Sequence, residues 1–202
     1  RIQGVEHASR SRVMNVFRED FGRSVYLLSP ADRRRALLEI DWVKEASVSR
    51  VWPNTILVKI SERKPVAFVP APSGQGASTS FALIDSEGGI LRPQMPARFT
   101  LPVLVGLAPG AEAALRRDRV RRMLRLLDEF GALAEKVSEV DVSDPENLQI
   151  TEQADGKAVV LLLGNRNFLA RLDRFHQRYP EINKRLPEAG TFDLRLDDRI
   201  TA

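Results

Sequence analysis

No cysteine occurs among the 202 residues, which excludes a disulfide framework and any thiolate metal site. That absence suits an oxidising and a reducing compartment equally, so it does not locate the protein. No apolar run reaches the roughly 18 residues of a membrane-spanning helix, and no signal peptide is visible. Only two histidines are present. His7 lies in a Glu6-His7-Ala8-Ser9 turn and His176 beside Phe175 on an expected helix. Neither has a second His or Cys at ligand spacing, so both read as structural residues. There is no G-x-S-x-G elbow to expose a nucleophilic serine and no Walker loop to cradle phosphates. Gly164-Asn165-Arg166-Asn167 opens a helix, but a strand-to-helix turn needs such residues without any bound anion. The carboxylate pairs Asp128/Glu129 and Asp197/Asp198 are adjacent in sequence and point in different directions, so they do not form an acid/base pair. Catalysis, cofactors, metals and small-molecule substrates have no residues to rest on.

What the chain has is a core and an excess of arginine. Its apolar content of 43% excludes a disordered class and suffices for one large domain or two small ones. Residues 1–70 carry 13 Lys/Arg against 8 Asp/Glu, and the remainder 18 against 19. The positive excess therefore sits in the first third. It reads as solubilising charge, with attraction to anionic lipid headgroups as the alternative. The densest run holds Arg116, Arg117, Arg119, Arg121, Arg122 and Arg125. No aromatic residue interleaves with them and Asp128 and Glu129 follow, so the run reads as a solvated helix face and not as a nucleic-acid surface.

The order of elements follows from periodicity and punctuation. A strand is expected near residues 2–5, then a helix over 11–20 with Val13, Val16 and Phe17 at i, i+3, i+4. Gly22 supplies its left-handed stop. Ser29-Pro30-Ala31-Asp32 opens a second helix, with Ser29 as N-cap, Pro30 in the first turn and Asp32 at the positive end of the dipole. Leu37, Leu38 and Ile40 give it an apolar face. Residues 46–49 are extended and reach a Trp52-Pro53-Asn54-Thr55 turn. Beyond it Ile56, Val58 and Ile60 alternate with Leu57, Lys59 and Ser61, the pattern of a hairpin with one buried face. Domains are expected at 1–65 and 66–202. In the second, strands are expected at 66–69, 81–85, 137–142, 148–151 and 159–163, with a surface loop over 70–76. A helix over 112–130 carries Val120, Met123, Leu124 and Leu127 as its apolar stripe. Another starts after Asn167, carries Phe168, Leu169, Leu172 and Phe175, and should end at Tyr179-Pro180. There is no internal repeat.

Residues 42–67 carry the most specific signal. Trp42, Val43, Lys44, Ala46, Val48, Arg50, Trp52, Pro53, Thr55, Glu62, Arg63, Pro65 and Ala67 match the pattern W-V-K-x-A-x-V-x-R-x-W-P-x-T-L…E-R-x-P-x-A. In this the chain resembles the FtsQ/DivIB family of bacterial cell-division proteins, whose first periplasmic domain is a POTRA module. The L-I-D-x-E-G element at 83–88, the L-P-x-L-x-G element at 101–106 and the closing strand at 191–196 match the family in the same order. The resemblance implies an α+β fold: a strand-helix-helix-strand-strand POTRA module, then a β-rich domain with two helices on a mixed sheet. It implies a non-enzymatic divisome scaffold that binds FtsB and FtsL and links early and late division proteins. It also implies a single-pass inner-membrane anchor ahead of residue 1, with this region in the periplasm at the division septum. The chain begins in what reads as the inside of a strand, which is expected of a piece trimmed from that longer protein.

An interaction protein without chemistry works through its surfaces. An open sheet edge presents unpaired N–H and C=O groups on which a partner can add a strand. The resemblance places FtsB on the last strand, matched by Thr191, Phe192, Asp193, Leu194, Arg195 and Leu196, with Leu196 where the family often has Tyr. Arg195 would offer a bidentate fork for a partner carboxylate. Val48, Arg50 and Glu62 match the hairpin positions that the family uses for recruitment to the division site. The alternative is an outer-membrane assembly or secretion component. Those carry tandem POTRA repeats ahead of a barrel whose strands alternate over about ten residues, and the second half here shows neither.

Overall fold

Ser29 and Pro30 show local rules setting the first unit. In the computed structural model, which describes residues 1–71, 80–92, 98–196 and 199–202, the Ser29 hydroxyl accepts from the Asp32 N–H and Pro30 takes the first turn of helix α2 (Pro30–Leu38). Ahead of it lie strand β1 (Ile2–Gln3), helix α1 (Arg10–Asn15) and a 3-10 turn (Arg18–Asp20). Behind it come strands β2 (Val43–Val51) and β3 (Thr55–Glu62). The expected strand-helix-helix-strand-strand order is the one found. The helix expected over 11–20 divides in two: the α-helix ends at Asn15, Phe17 leaves α-geometry, and the chain resumes as the 3-10 turn. There Asp20 is held by Arg33 of α2, with Nε 2.7 Å from Oδ2.

The first sheet has the order β1-β3-β2, with β1 parallel and β2 antiparallel to β3. Ala46, Val48 and Arg50 pair with Ile60, Val58 and Ile56, and this face packs under the helices. Val13, Phe17, Leu37, Ala46, Val58 and Ile60 are its buried centre, with Ile56 and Val48 packed against it. The alternation expected from the sequence is therefore the alternation observed.

Contacts divide the chain into two compact units, Arg1–Pro65 with Ile90–Phe99, and Val66–Gly89 with Thr100–Ala202. Residues 90–99 group with the first unit although the sequence reading set them within 66–202. The Trp42 indole donates to the Arg92 carbonyl at 2.9 Å, and the Phe99 ring lies 5.5 Å from that of His7. Those interactions are distant in sequence and invisible to periodicity.

The second unit contains β4 (Pro65–Ala71), β5 (Ser80–Asp85), β7 (Val103–Val105), β8 (Val137–Asp141), β9 (Leu148–Ala154), β10 (Lys157–Gly164) and β11 (Thr191–Asp193), while the short β6 (Ile90–Leu91), between β5 and β7 in the chain, groups with the first unit. Seven strands run in the order β11-β10-β9-β8-β7-β4-β5. The sheet is mixed: β7 pairs in parallel with β4 and β8, β9 is antiparallel to β8 and β10, and β11 is parallel to β10. Helices α3 (Ala113–Phe130) and α4 (Phe168–Arg185) supply the remaining core. The loop expected over 70–76 (from residue 72 onward) and the Asp197/Asp198 pair lie outside the described residues.

Two helix readings are corrected. On α3 the buried positions are Val120, Met123, Leu126 and Phe130, so the stripe centres on Leu126, while Leu124 and Leu127 are half-buried at its flanks. On α4 the helix does not stop at Pro180 but continues to Arg185. Proline removes one backbone donor, yet Tyr179 just ahead of it is buried between aromatic rings, and Lys184 and Arg185 favour the negative end of the dipole. Tertiary packing outweighs the local breaker.

Phe175 is fully buried on α4 and Leu169 is exposed on the same helix. Phe175→Ala is expected to cost about 3–5 kcal/mol in urea unfolding, and Leu169→Ala within about 0.5 kcal/mol. Equal losses would contradict this orientation of α4.

Candidate docking edge

The last strand of the sheet alternates by register. Thr191, Phe192 and Asp193 pair with Val160, Leu161 and Leu162 of β10. The Val160 N–H donates to the Gly190 carbonyl at 2.8 Å and the Leu194 N–H to the Leu162 carbonyl at 3.0 Å. In a parallel ladder this phase turns the main-chain groups of residues 190, 192 and 194 inward and those of 191, 193 and 195 outward. The side chains divide similarly. Phe192 and Leu194 are buried in the core, Asp193 is half-buried, and Thr191, Arg195 and Leu196 are exposed.

What holds the strand is α4. Phe192 lies 5.2 Å from Phe175 and 5.9 Å edge-on from Tyr179, ring centre to ring centre. Such pairs add about 0.5–1.5 kcal/mol beyond burial. Arg171 of α4, only 4% exposed, donates to the carbonyls of Leu163 and, at 2.9 Å, Arg195. Arg174 donates to the Leu196 carbonyl at 3.0 Å. Gly164 makes room for this: its φ is +75°, and a Cβ there would sit 2.9 Å from the Arg171 guanidinium. Arg171 was not singled out in the sequence, although the signal existed: it stands three residues after Phe168 and four before Phe175, inside the apolar stripe. A charged residue in that position has a buried partner to reach. Glu152, also buried, sits on the inward side of β9 and contacts His176 of α4 at 2.8 Å.

Arg195 is not an open fork. Its Nε lies 2.9 and 3.0 Å from the two Asp193 oxygens, and its own N–H donates to Asp193 at 3.0 Å. The Arg195 side chain, hydrogen-bonded to it, holds the Asp193 carboxyl below its ordinary value, against the opposing effect of burial. A partner carboxylate would have to compete with Asp193.

Val48, Arg50 and Glu62 do not form one patch. Val48 and Arg50 lie toward the hairpin turn on the helix-covered face, and Glu62 pairs with Val43 at the other end. Val48 packs against the core. The Arg50 guanidinium donates to the carbonyls of Val25 (2.9 Å) and Leu28 (2.6 Å) and reaches that of Tyr26, so it closes the 25–28 loop. Burial raises the Glu62 pKa, but the N–H groups of Ala8, His7 and Glu6 together outweigh it and hold the carboxyl below its ordinary value, helped by the His7 ring. Those bonds run 2.8–3.1 Å. Glu62 thus ties the 6–8 turn to the end of β3.

The POTRA domain of FtsQ type matches residues 1–63, and the C-terminal domain of cell-division protein FtsQ/DivIB matches residues 75–195. The chain belongs to the FtsQ/DivIB family. It is 32% identical over 208 residues to a cell division protein FtsQ of Koribacter versatilis, covering 98% of this chain and 57% of that protein. It is 29% identical to one of Novosphingobium aromaticivorans, with 98% and 58% covered. A Caulobacter vibrioides FtsQ is 36% identical over 104 residues, 51% of this chain and 32% of its own. The chain therefore spans just under three fifths of the first two relatives. Among the described residues no helix is long and apolar enough to cross a membrane, and no group of His, Cys, Asp or Glu is placed to hold a metal ion.

The depressed Glu62 pKa fixes a pH dependence. The contribution of Glu62 to stability is fully present above the ordinary glutamate value of about 4.3 and is lost as pH falls through its lower folded-state value. Glu62→Gln should lower stability at pH 7 by about 1–3 kcal/mol, and the deficit should shrink on acidification. A deficit that stays constant from pH 7 to pH 3 would contradict the carboxylate's role.

Proposed function

We propose that the chain is the periplasmic part of a non-enzymatic division scaffold and docks its partner by strand addition on the outer edge of β11. The supporting observation is the position of β11 at the end of the sheet order, with 191, 193 and 195 facing away from β10. Phe192, Arg171 and Arg174 hold that edge rigidly, which lowers the ordering cost of docking an extended segment. In the family reading the partner is FtsB, arriving with FtsL, and the scaffold is anchored in the inner membrane at the septum. Binding energy does the work; no bond is made or broken. The reading rests on β11 and not on Val48, Arg50 and Glu62, whose side chains are engaged inside the first unit.

Thr191→Pro tests the edge directly. Residue 191 is exposed and its N–H faces outward, so proline removes a docking donor without removing a bond to β10. With the periplasmic parts of FtsB and FtsL as ligand, affinity is expected to fall about threefold, the worth of one ordinary hydrogen bond, with the folded spectrum retained. Unchanged affinity would exclude pairing at this edge.

A further inference from the structure

The outward edge of β11 is not empty. Asp193 and Thr201 form an antiparallel bridge: the Asp193 N–H donates to the Thr201 carbonyl at 2.8 Å, and the Thr201 N–H returns to the Asp193 carbonyl at 3.3 Å. One step along, the outward N–H of Arg195 is taken by the Asp193 carboxylate and its carbonyl by Arg171. The outward groups of Thr191 have no such partner among the described residues. Upstream of Thr201, Arg199 and Ile200 line a shallow cleft with Arg178, Glu181, Ile182 and Arg185 at the end of α4. The segment 199–202 is therefore attached to the edge by a backbone bridge at Thr201, and its upstream residues border a cleft at the end of α4.

We propose that residues 199–202 form a built-in strand occupying the docking edge, and that a partner segment must exchange with it at Asp193 before pairing. This rests on the strand-addition reading above and adds a gate to it. The physical case is an inventory of donors and acceptors. A strand added along β11 needs the N–H and C=O of 191, 193 and 195. Of these residues only Thr191 offers both groups without breaking an existing bond, so docking starts at Thr191 and proceeds by displacement toward Arg195. The displaced segment is easily released, since a single bridge holds it to the edge and Arg199, Thr201 and Ala202 are exposed. Its competition weakens partner affinity by the fraction of time the edge is closed. It also shields an exposed strand from pairing with other chains, a hazard that every open edge carries.

The test compares the 202-residue chain with a variant ending at residue 198 and with Thr201→Pro, which loses the donor to Asp193 and keeps the segment. Affinity for the periplasmic FtsB–FtsL pair is measured by titration, and thermal unfolding confirms that each variant is folded. Truncation should tighten binding about tenfold, the worth of the two bridge bonds, and Thr201→Pro about threefold. Equal affinity in all three chains overturns the gate and leaves docking at β11 standing. Weaker binding by both variants also overturns it, since residues 199–202 would then be part of the docking surface. No binding by any of the three overturns the strand-addition reading itself, and the gate with it.

Discussion

The packing of Phe192 against Phe175 and Tyr179 is the interaction on which the second unit's surface depends. It fixes β11 against α4 as well as against β10, and so decides which backbone groups of residues 191–195 face outward. A three-residue parallel strand has few ladder bonds of its own, and parallel pairing is slightly the weaker kind. Without the aromatic cluster and the two arginines of α4, the edge would fray. Arg171 makes the arrangement directional: its guanidinium reaches the end of β10 at Leu163 and the chain beyond β11 at Arg195. A buried cation that bonds two carbonyls in this way costs much to disturb, because removing either bond leaves a buried charge with fewer partners.

The first unit obeys the same logic with charges of both signs. Glu62 gathers three N–H groups of the 6–8 turn, and Arg50 caps carbonyls of the 25–28 loop. Both residues belong to the signature that reveals the family, and both spend their charge on closing loops over the small sheet. A sequence signature can therefore mark architecture as readily as it marks a surface. Here it describes how the hairpin is locked to what surrounds it.

The legible parts of the fold were the local ones. Ser29-Pro30 and the alternation of Ile56, Val58 and Ile60 have causes within a few residues, and they appear as expected. Pro180 misled because a local breaker competes with a buried Tyr179, and packing wins. The grouping of residues 90–99 with the first unit and the return of Thr201 to Asp193 were not readable, because each depends on partners far away along the chain or in a different element. The candidate edge was half legible. Its alternation of Phe192 and Leu194 with Thr191, Asp193 and Arg195 follows from the strand period, whereas the closure of Arg195 by Asp193 and the seat provided by Arg171 required the three-dimensional arrangement.

The central claim is that β11 is a docking edge with a defined inward and outward phase. Amide hydrogen exchange in the presence of the periplasmic FtsB–FtsL pair tests it residue by residue. The amide of Thr191 should become protected on binding, while those of Phe192 and Leu194, already bonded to β10, stay as they were. Protection that leaves Thr191 unchanged, or appears only within residues 1–65, would contradict the account.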